Sequence, residues 1–212
     1  MRVAAIYDIH GNLPALGGVL DAIRPEEVDQ VVVGGDIVPG PMPDECISAL
    51  EELPVPVRFI RGNGETDILA ARHGAELVRV PPRFHETMHW VAERLMPERL
   101  ADFATWPRTL RLSVPGLGEV EFCHATPRDD NEIFTRATPE YRLRPIFEAT
   151  GAAVVVCGHT HMQFDRRALR RRIRHRPRAG RTSRLTGSWC ILTMTPPSQT
   201  PFACVARNTA RG

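Results

Sequence analysis

The stretch RVAAIYDIHGN, residues 2–12, decides the fold. Val3 to Tyr7 is an unbroken apolar run that gives way at once to Asp8, His10, Gly11 and Asn12, the pattern of a buried strand feeding a loop. Directly downstream, Leu13, Leu16, Val19, Leu20 and Ile23 recur at helical spacing. Asn12 is placed to cap that helix and Pro14 falls in its first turn. The same grammar then repeats. Gln30–Val33 is a second apolar strand, closed by Gly34-Gly35-Asp36, and Asp44 and Glu45 open a helix over Ile47 and Leu50, their charges suited to its N-terminus. Val55–Ile60 is a third strand, ending in Arg61-Gly62-Asn63-Gly64-Glu65. Strand, helix, strand in this rhythm is the signature of a layered α/β fold.

Further along, residues 66–106 read as helices interrupted by Pro81-Pro82 and Pro97. Leu110–Val114 and Glu119–Phe122 alternate as a hairpin across Pro115-Gly116-Leu117-Gly118. A helix over Pro139–Ala149 precedes a strand over Ala153–Cys157, which closes on Gly158-His159-Thr160-His161.

Composition excludes several classes. The 212 residues are 42% hydrophobic and 25% charged, the balance of a globular chain with a sizeable core. No apolar run approaches the ~20 residues of a membrane span, and Asp8 and His10 interrupt any secretory h-region. Five widely spaced cysteines without a CxxC pair argue against a disulfide scaffold and for a cytoplasmic setting. The net charge of +2 averages two unlike segments. Every basic side chain among the 27 is arginine; residues 1–164 carry 15 of them against 24 carboxylates, and residues 165–212 carry 12 against Asp165 alone. The acidic body offers no nucleic-acid face, whereas the basic tail is a candidate one through phosphate attraction.

The chemistry collects at strand ends. Five strands terminate in residues able to ligate a metal: Asp8 and His10, Asp36, Asn63, His124, then His159 and His161. In open α/β sheets, ligands gather in the crevice beyond the carboxyl ends of the strands. Mixed carboxylate and imidazole donors suit manganese, iron or zinc better than magnesium or calcium. Seven ligands exceed the need of one ion and match two that share a bridging carboxylate. Taken singly, Asp8 and Asp36 also serve as caps, Asn63 as a turn residue and His124 as a hydrogen-bonded core histidine. Jointly, and in this order, those readings fail.

The ordered set Asp8-x-His10, Gly35-Asp36, Gly62-Asn63, His124 and Gly158-His159-x-His161 resembles the calcineurin-like metallophosphoesterases over about residues 1–164, with small bacterial phosphodiesterases and phosphatase-like proteins most alike. The resemblance implies a four-layer α/β/β/α sandwich of two mixed sheets with a dinuclear site at the strand ends. It implies one divalent ion on Asp8, His10, Asp36 and His161, and a second on Asp36, Asn63, His124 and His159, with Asp36 bridging. Two ions ~3.5–4 Å apart share a hydroxide and aim it at phosphorus. The expected substrate is therefore a phosphate ester, and Asp36, Asn63 and His124 are expected to take part in catalysis. Arg61 is a candidate phosphate clamp, since its planar fork matches phosphate geometry.

Two departures stand out. The resembled family reads Gly-Asn-His-(Asp/Glu), and that histidine protonates the leaving group; here the position is Gly64. General acid help is worth ~10²–10⁴-fold, so good leaving groups, in phosphodiesters or nucleotide-like phosphates, are expected substrates. Replacing Gly64 with histidine is expected to restore monoester activity. The different-class alternative is a catalytically weak metal-binding module. The second departure divides the chain into a domain over 1–165 and an atypical Arg-rich tail over 166–212, with Trp189–Met194 its only strand candidate. That tail reads as disordered or not native to the family, and is expected to be dispensable for metal binding but harmful to stability or solubility. Where it replaces the closing strands that the resemblance implies, it is expected to leave Val154–Cys157 at an unpaired sheet edge. Finally, His85-Glu86-Thr87-Met88-His89 matches the H-E-x-x-H zinc-protease pattern on a helix whose buried stripe would be Phe84, Met88, Val91 and Leu95. Those two histidines are also candidates to replace the missing proton donor.

Overall fold

A computed structural model describes residues 1–23, 28–168, 171–175 and 189–192. The first sheet runs β3 (Val57–Phe59), β2 (Gln30–Val33), β1 (Val3–Ile6), β9 (Trp189–Leu192); its first three strands are parallel and β9 is antiparallel to β1. The second sheet runs β4 (Thr109–Val114), β5 (Gly118–Cys123), β6 (Val154–Cys157), β8 (Arg171–His175), β7 (Phe164–Ala168). There β5, β6 and β8 are parallel, and β4 and β7 are antiparallel edges.

Side-chain alternation turns these sheets into layers. Val3 and Ala5 of β1, and Tyr7 just after it, face the second sheet and meet Val120, Phe122, Val154 and Val156. Ala4 and Ile6 face the other way, into a core with α1 (Leu13–Ile23), α2 (Pro43–Glu51), α3 (Asn63–Arg72), α4 (His85–Arg94) and α5 (Pro97–Thr105). On the far side, Cys123, Val155 and Cys157 pack with Leu143, Ile146 and Phe147 of α6 (Glu140–Phe147). The result is helices, sheet, sheet, helix, as the resemblance implied. Asn12 caps α1 through its Oδ1, which accepts from the Ala15 amide at 3.1 Å. No helix among the described residues is long and apolar enough to cross a membrane.

Phe164–Ala168 and Arg171–His175 differ from expectation. β8 pairs with β6, so Val154–Cys157 is an interior strand rather than an unpaired edge. Phe164, Ala168 and Ile173 are buried under α6 while the intervening positions 165 and 167 face outward. An edge hairpin buries one face only, and three apolar residues among arginines satisfy it without a recognisable period. Trp189–Leu192 forms the strand that the sequence suggested; residues 176–188 and 193–212, which hold six of the twelve tail arginines, lie outside the described residues.

Candidate metal centre

The five ligand-bearing loops all leave the carboxyl ends of β1, β2, β3, β5 and β6. Backbone hydrogen bonds continue the strand pairing into these loops: Asp8 N–H to Gly35 O (3.2 Å), His10 N–H to Asp36 O (2.9 Å) and Gly158 N–H to His124 O (2.7 Å). The last tie holds β5 and β6 together beyond their ends. Gly158 also allows the sheets to approach, because a Cβ there would lie 2.6 Å from Asp8 Oδ2. The next amide, His159 N–H, donates to both Asp8 oxygens at 3.1 and 3.0 Å, joining the two sheets at the site.

Five residues here hold left-handed backbone: Asp8 (φ 54°), His10 (51°), Asp36 (55°), His159 (78°) and His161 (56°). Among the described residues they are all of the non-glycine residues that do so. Such conformations cost on the order of 1–3 kcal/mol each and persist where surrounding structure over-determines them. All five are residues that the sequence marks as ligands.

Their side chains form two groups whose donor atoms lie within 4.8 Å of one another: Asp8, His10 and His161, and Asp36, His124 and His159. Each group pairs two imidazoles edge to face, His10 with His161 at 5.3 Å and His124 with His159 at 5.2 Å between centroids. Asp36 spans the gap. Its Oδ2 lies 3.7 Å from His10 Nε2 and its Oδ1 lies 3.4 Å from His124 Nε2. Asn63 joins the second group, its Oδ1 3.1 Å from His124 Nε2. Asp8 Oδ1 is 3.5 Å from His161 Nε2.

The far side of each ring is also set. His124 Nδ1 donates to Gly34 O at 2.9 Å and His10 Nδ1 to Pro39 O at 3.3 Å; the His159 ring bonds the Asn131 carbonyl. A carbonyl only accepts, so these bonds put the proton on Nδ1 of His10 and His124 and leave Nε2 for a metal. With two carboxylates, an amide oxygen and four imidazoles converging, the donor set fits two divalent ions of the manganese, iron or zinc type.

The charges are strongly coupled. Burial disfavours a charged His124, yet the Asp36 and Asp8 carboxylates beside it raise its imidazole to about 10. Burial likewise opposes ionisation of Asp36, but His124 holds that carboxyl well below the usual range. The two aspartates are thus ionised and ready to ligate.

Behind the ligands, buried Glu65 accepts four amide protons. Oε2 takes those of Asp36 (3.0 Å) and Gly62 (2.8 Å), and Oε1 those of Ile37 (2.8 Å) and Val38 (3.3 Å). Burial and the nearby Asp36 charge push its carboxyl up to about 7, against the pull of the Gly62 and Asp36 amides.

Three expectations change. Arg61 does not line the site: its backbone N–H donates to Pro107 O (2.9 Å) and its Nη1 reaches Phe103 O (3.4 Å), because the turn at Gly62 sends Asn63 inward and Arg61 towards α5. Gly64 is not an empty seat for histidine, since a Cβ there would fall 2.0 Å from Val38 O and 3.0 Å from Asp36 Oδ1. The H-E-x-x-H pair makes no site either. His85 Nε2 donates to Val80 O at 2.8 Å, His89 is exposed, and neither belongs to a metal-ligand group among the described residues. Of the expected stripe, Met88, Val91 and Leu95 are buried, but Phe84 is 46% exposed.

Phe84 is exposed because it lines a cleft of about 520 Å³ that opens over the ligands. His10, Asp36, Asn63, His159 and His161 form its floor, and Val80, Pro81, Phe84 and Met88 an apolar wall. Asp67, Arg79 and Asn131 line it too. No sequence signal marked them, save that Asn63 and Asp67 stand one helical turn apart.

Residues 1–163 match the family model described as calcineurin-like phosphoesterase, and the chain belongs to that family. A curated relative, an uncharacterised protein of Methanocaldococcus jannaschii, is 27% identical over 164 residues, which are 76% of this chain and 63% of that protein. The chain therefore spans less than two thirds of that relative's length. A crystal structure of a metallophosphoesterase from Sphaerobacter thermophilus is 25% identical with a TM-score of 0.66, covering 90% of this chain and 82% of that one. A hypothetical protein of Pyrococcus horikoshii shares the fold at 19% identity and a TM-score of 0.71, covering 84% of this chain and 76% of the other.

Proposed function

We propose that the chain is a two-metal hydrolase of phosphodiesters and nucleotide-like phosphates. The observation that carries this reading is Asp36, whose two carboxylate oxygens face different imidazole pairs at the floor of a substrate-sized cleft. Asp8, His10 and His161 would hold one ion with Asp36; Asn63, His124 and His159 would hold the other with Asp36. When bound, the ions supply Lewis acidity for attack of water on phosphorus. Family membership supports phosphoester chemistry in general; the diester preference rests on Gly64 and on the cleft wall. With Val38 O against Gly64, no side chain at that position protonates a leaving group. Leaving groups that depart as stable anions suffer least from this. The apolar wall, with the half-exposed Phe84 ring, suits a planar aryl or nucleobase group.

A panel of phosphate esters with Mn²⁺ tests the reading. Bis-p-nitrophenyl phosphate and nucleoside aryl diesters should outpace alkyl monoesters. Phe84→Ala should raise KM for the aryl substrates about threefold to tenfold, since aromatic stacking is worth ~0.5–1.5 kcal/mol. Alkyl monoesters turning over fastest, or a KM indifferent to Phe84, would contradict it.

A further inference from the structure

The second ligand group is braced from behind by residues outside it. Arg79 lines the cleft with its side chain 31% exposed, and its guanidinium grips two buried carboxylates, Asp67 Oδ1 at 2.9 Å and Asp130 Oδ1 at 2.7 Å. Asp67 sits one turn after Asn63 on α3 and accepts a hydrogen bond from the Asn63 side chain. The Asn63 amide nitrogen is thereby directed to Asp67, and its Oδ1 is turned to His124 Nε2. Asp130 lies in the loop after β5, where Thr66 Oγ1 also donates to it at 2.9 Å. The next residue, Asn131, supplies the carbonyl that holds the His159 ring. One guanidinium therefore ties together the supports of two ligands from different sheets, Asn63 and His159. The carboxylates that Arg79 grips are Asp67 and Asp130, not Asp8 of the first group. Its charge is already matched by Asp67 and Asp130, with Arg108 Nη2 a further 3.7 Å from Asp130, so it is poorly placed to receive a substrate anion.

We infer that Arg79 is a positioning residue for the second metal alone, acting through Asp67 on Asn63 and through Asp130 and Asn131 on His159. This rests on the two-ion reading above. Planarity is essential, because only a fork donates to two carboxylates at fixed angle.

Mn²⁺ binding to the full chain, followed by calorimetry, tests it. Wild type should show two ions. His161→Ala and His159→Ala each remove a ligand from one group only and assign the two binding steps. Arg79→Gln should weaken the step that survives in His161→Ala by about tenfold to a hundredfold, the usual effect of losing an outer partner of a ligand. It should leave the step that survives in His159→Ala unchanged. Asp67→Asn, which keeps the guanidinium, should act the same way through Asn63, and carries the comparison alone if Arg79→Gln does not fold. A merely structural role would lower the melting temperature of the metal-free chain and weaken both steps alike. Equal weakening, or none, with two ions in wild type overturns the inference and leaves the two-ion reading standing. At most one ion in wild type overturns that reading as well.

Discussion

His124 Nε2 lies among Asn63 Oδ1, Asp36 Oδ1 and Asp8 Oδ1, and the metal-free chain holds a proton there up to about pH 10. That pKa is raised above the ordinary 6.5, so the stabilisation it brings is full below about 6.5 and lost as pH rises through about 10. Asp36 and Asp8 are depressed; their contribution is present above 3.8 and lost as pH falls below it. With His124 holding the second ion as proposed, a metal would displace that proton, so metal binding should strengthen with pH over the range in which the metal-free chain weakens. Melting temperatures measured from pH 6.5 upward should fall in chelator and rise with Mn²⁺; parallel curves would contradict this. At Gly64 the obstacle is steric rather than chemical. Gly64→Ala and Gly64→His should both destabilise, by about 1–3 kcal/mol or more, as overpacking does. Neither should gain monoester activity, because the added Cβ would also crowd Asp36 Oδ1, 3.0 Å away. Thermal melts together with monoester-to-diester rate ratios check this; a stable Gly64→His chain with a raised ratio would contradict it.

The loop after β2 and the start of α3 move as one element because Glu65 gathers amides from both. Glu65→Gln turns an NH₂ towards two of those donors and strands them, at about 1–3 kcal/mol each. Denaturant unfolding should register that loss, and Mn²⁺ affinity should fall because Asp36 and Asn63 flank the junction. At the carboxy-terminal end, β8 covers β6 and β9 covers β1. Truncation after residue 165 would expose two apolar strands, and the truncated chain should aggregate or melt lower, as light scattering and thermal melts would show. The strands β1, β2 and β6 were legible as sequence because buried parallel strands read as continuous apolar runs. β7 and β8 were not, since burial of Phe164, Ala168 and Ile173 on one face leaves the arginines to dominate the text. Arg79 was equally silent. It lies between helices in a segment without period, and only the folded chain shows that its partners Asp67 and Asp130 support ligands.

Across the whole molecule, two sheets stacked face to face bring together five loops whose residues span positions 8 to 161. Which loops would meet was legible, because each apolar run ended in a carboxylate, amide or imidazole and the ordered set resembled one family. Which way each side chain turns was not, because it follows from left-handed backbone at Asp8, His10, Asp36, His159 and His161 and from the turn that diverts Arg61. The proposed function requires more than the fold: two ions, with Asp36 between them, would be needed for hydrolysis. Turnover of bis-p-nitrophenyl phosphate, measured while Mn²⁺ is added in counted equivalents to the metal-free chain, tests it most directly. The account predicts that turnover appears with the second equivalent and saturates there. It further predicts that Asp36→Asn loses more than the ~10–100-fold typical of an outer partner of a ligand. Full turnover at one ion per chain, or none with two bound, would contradict it.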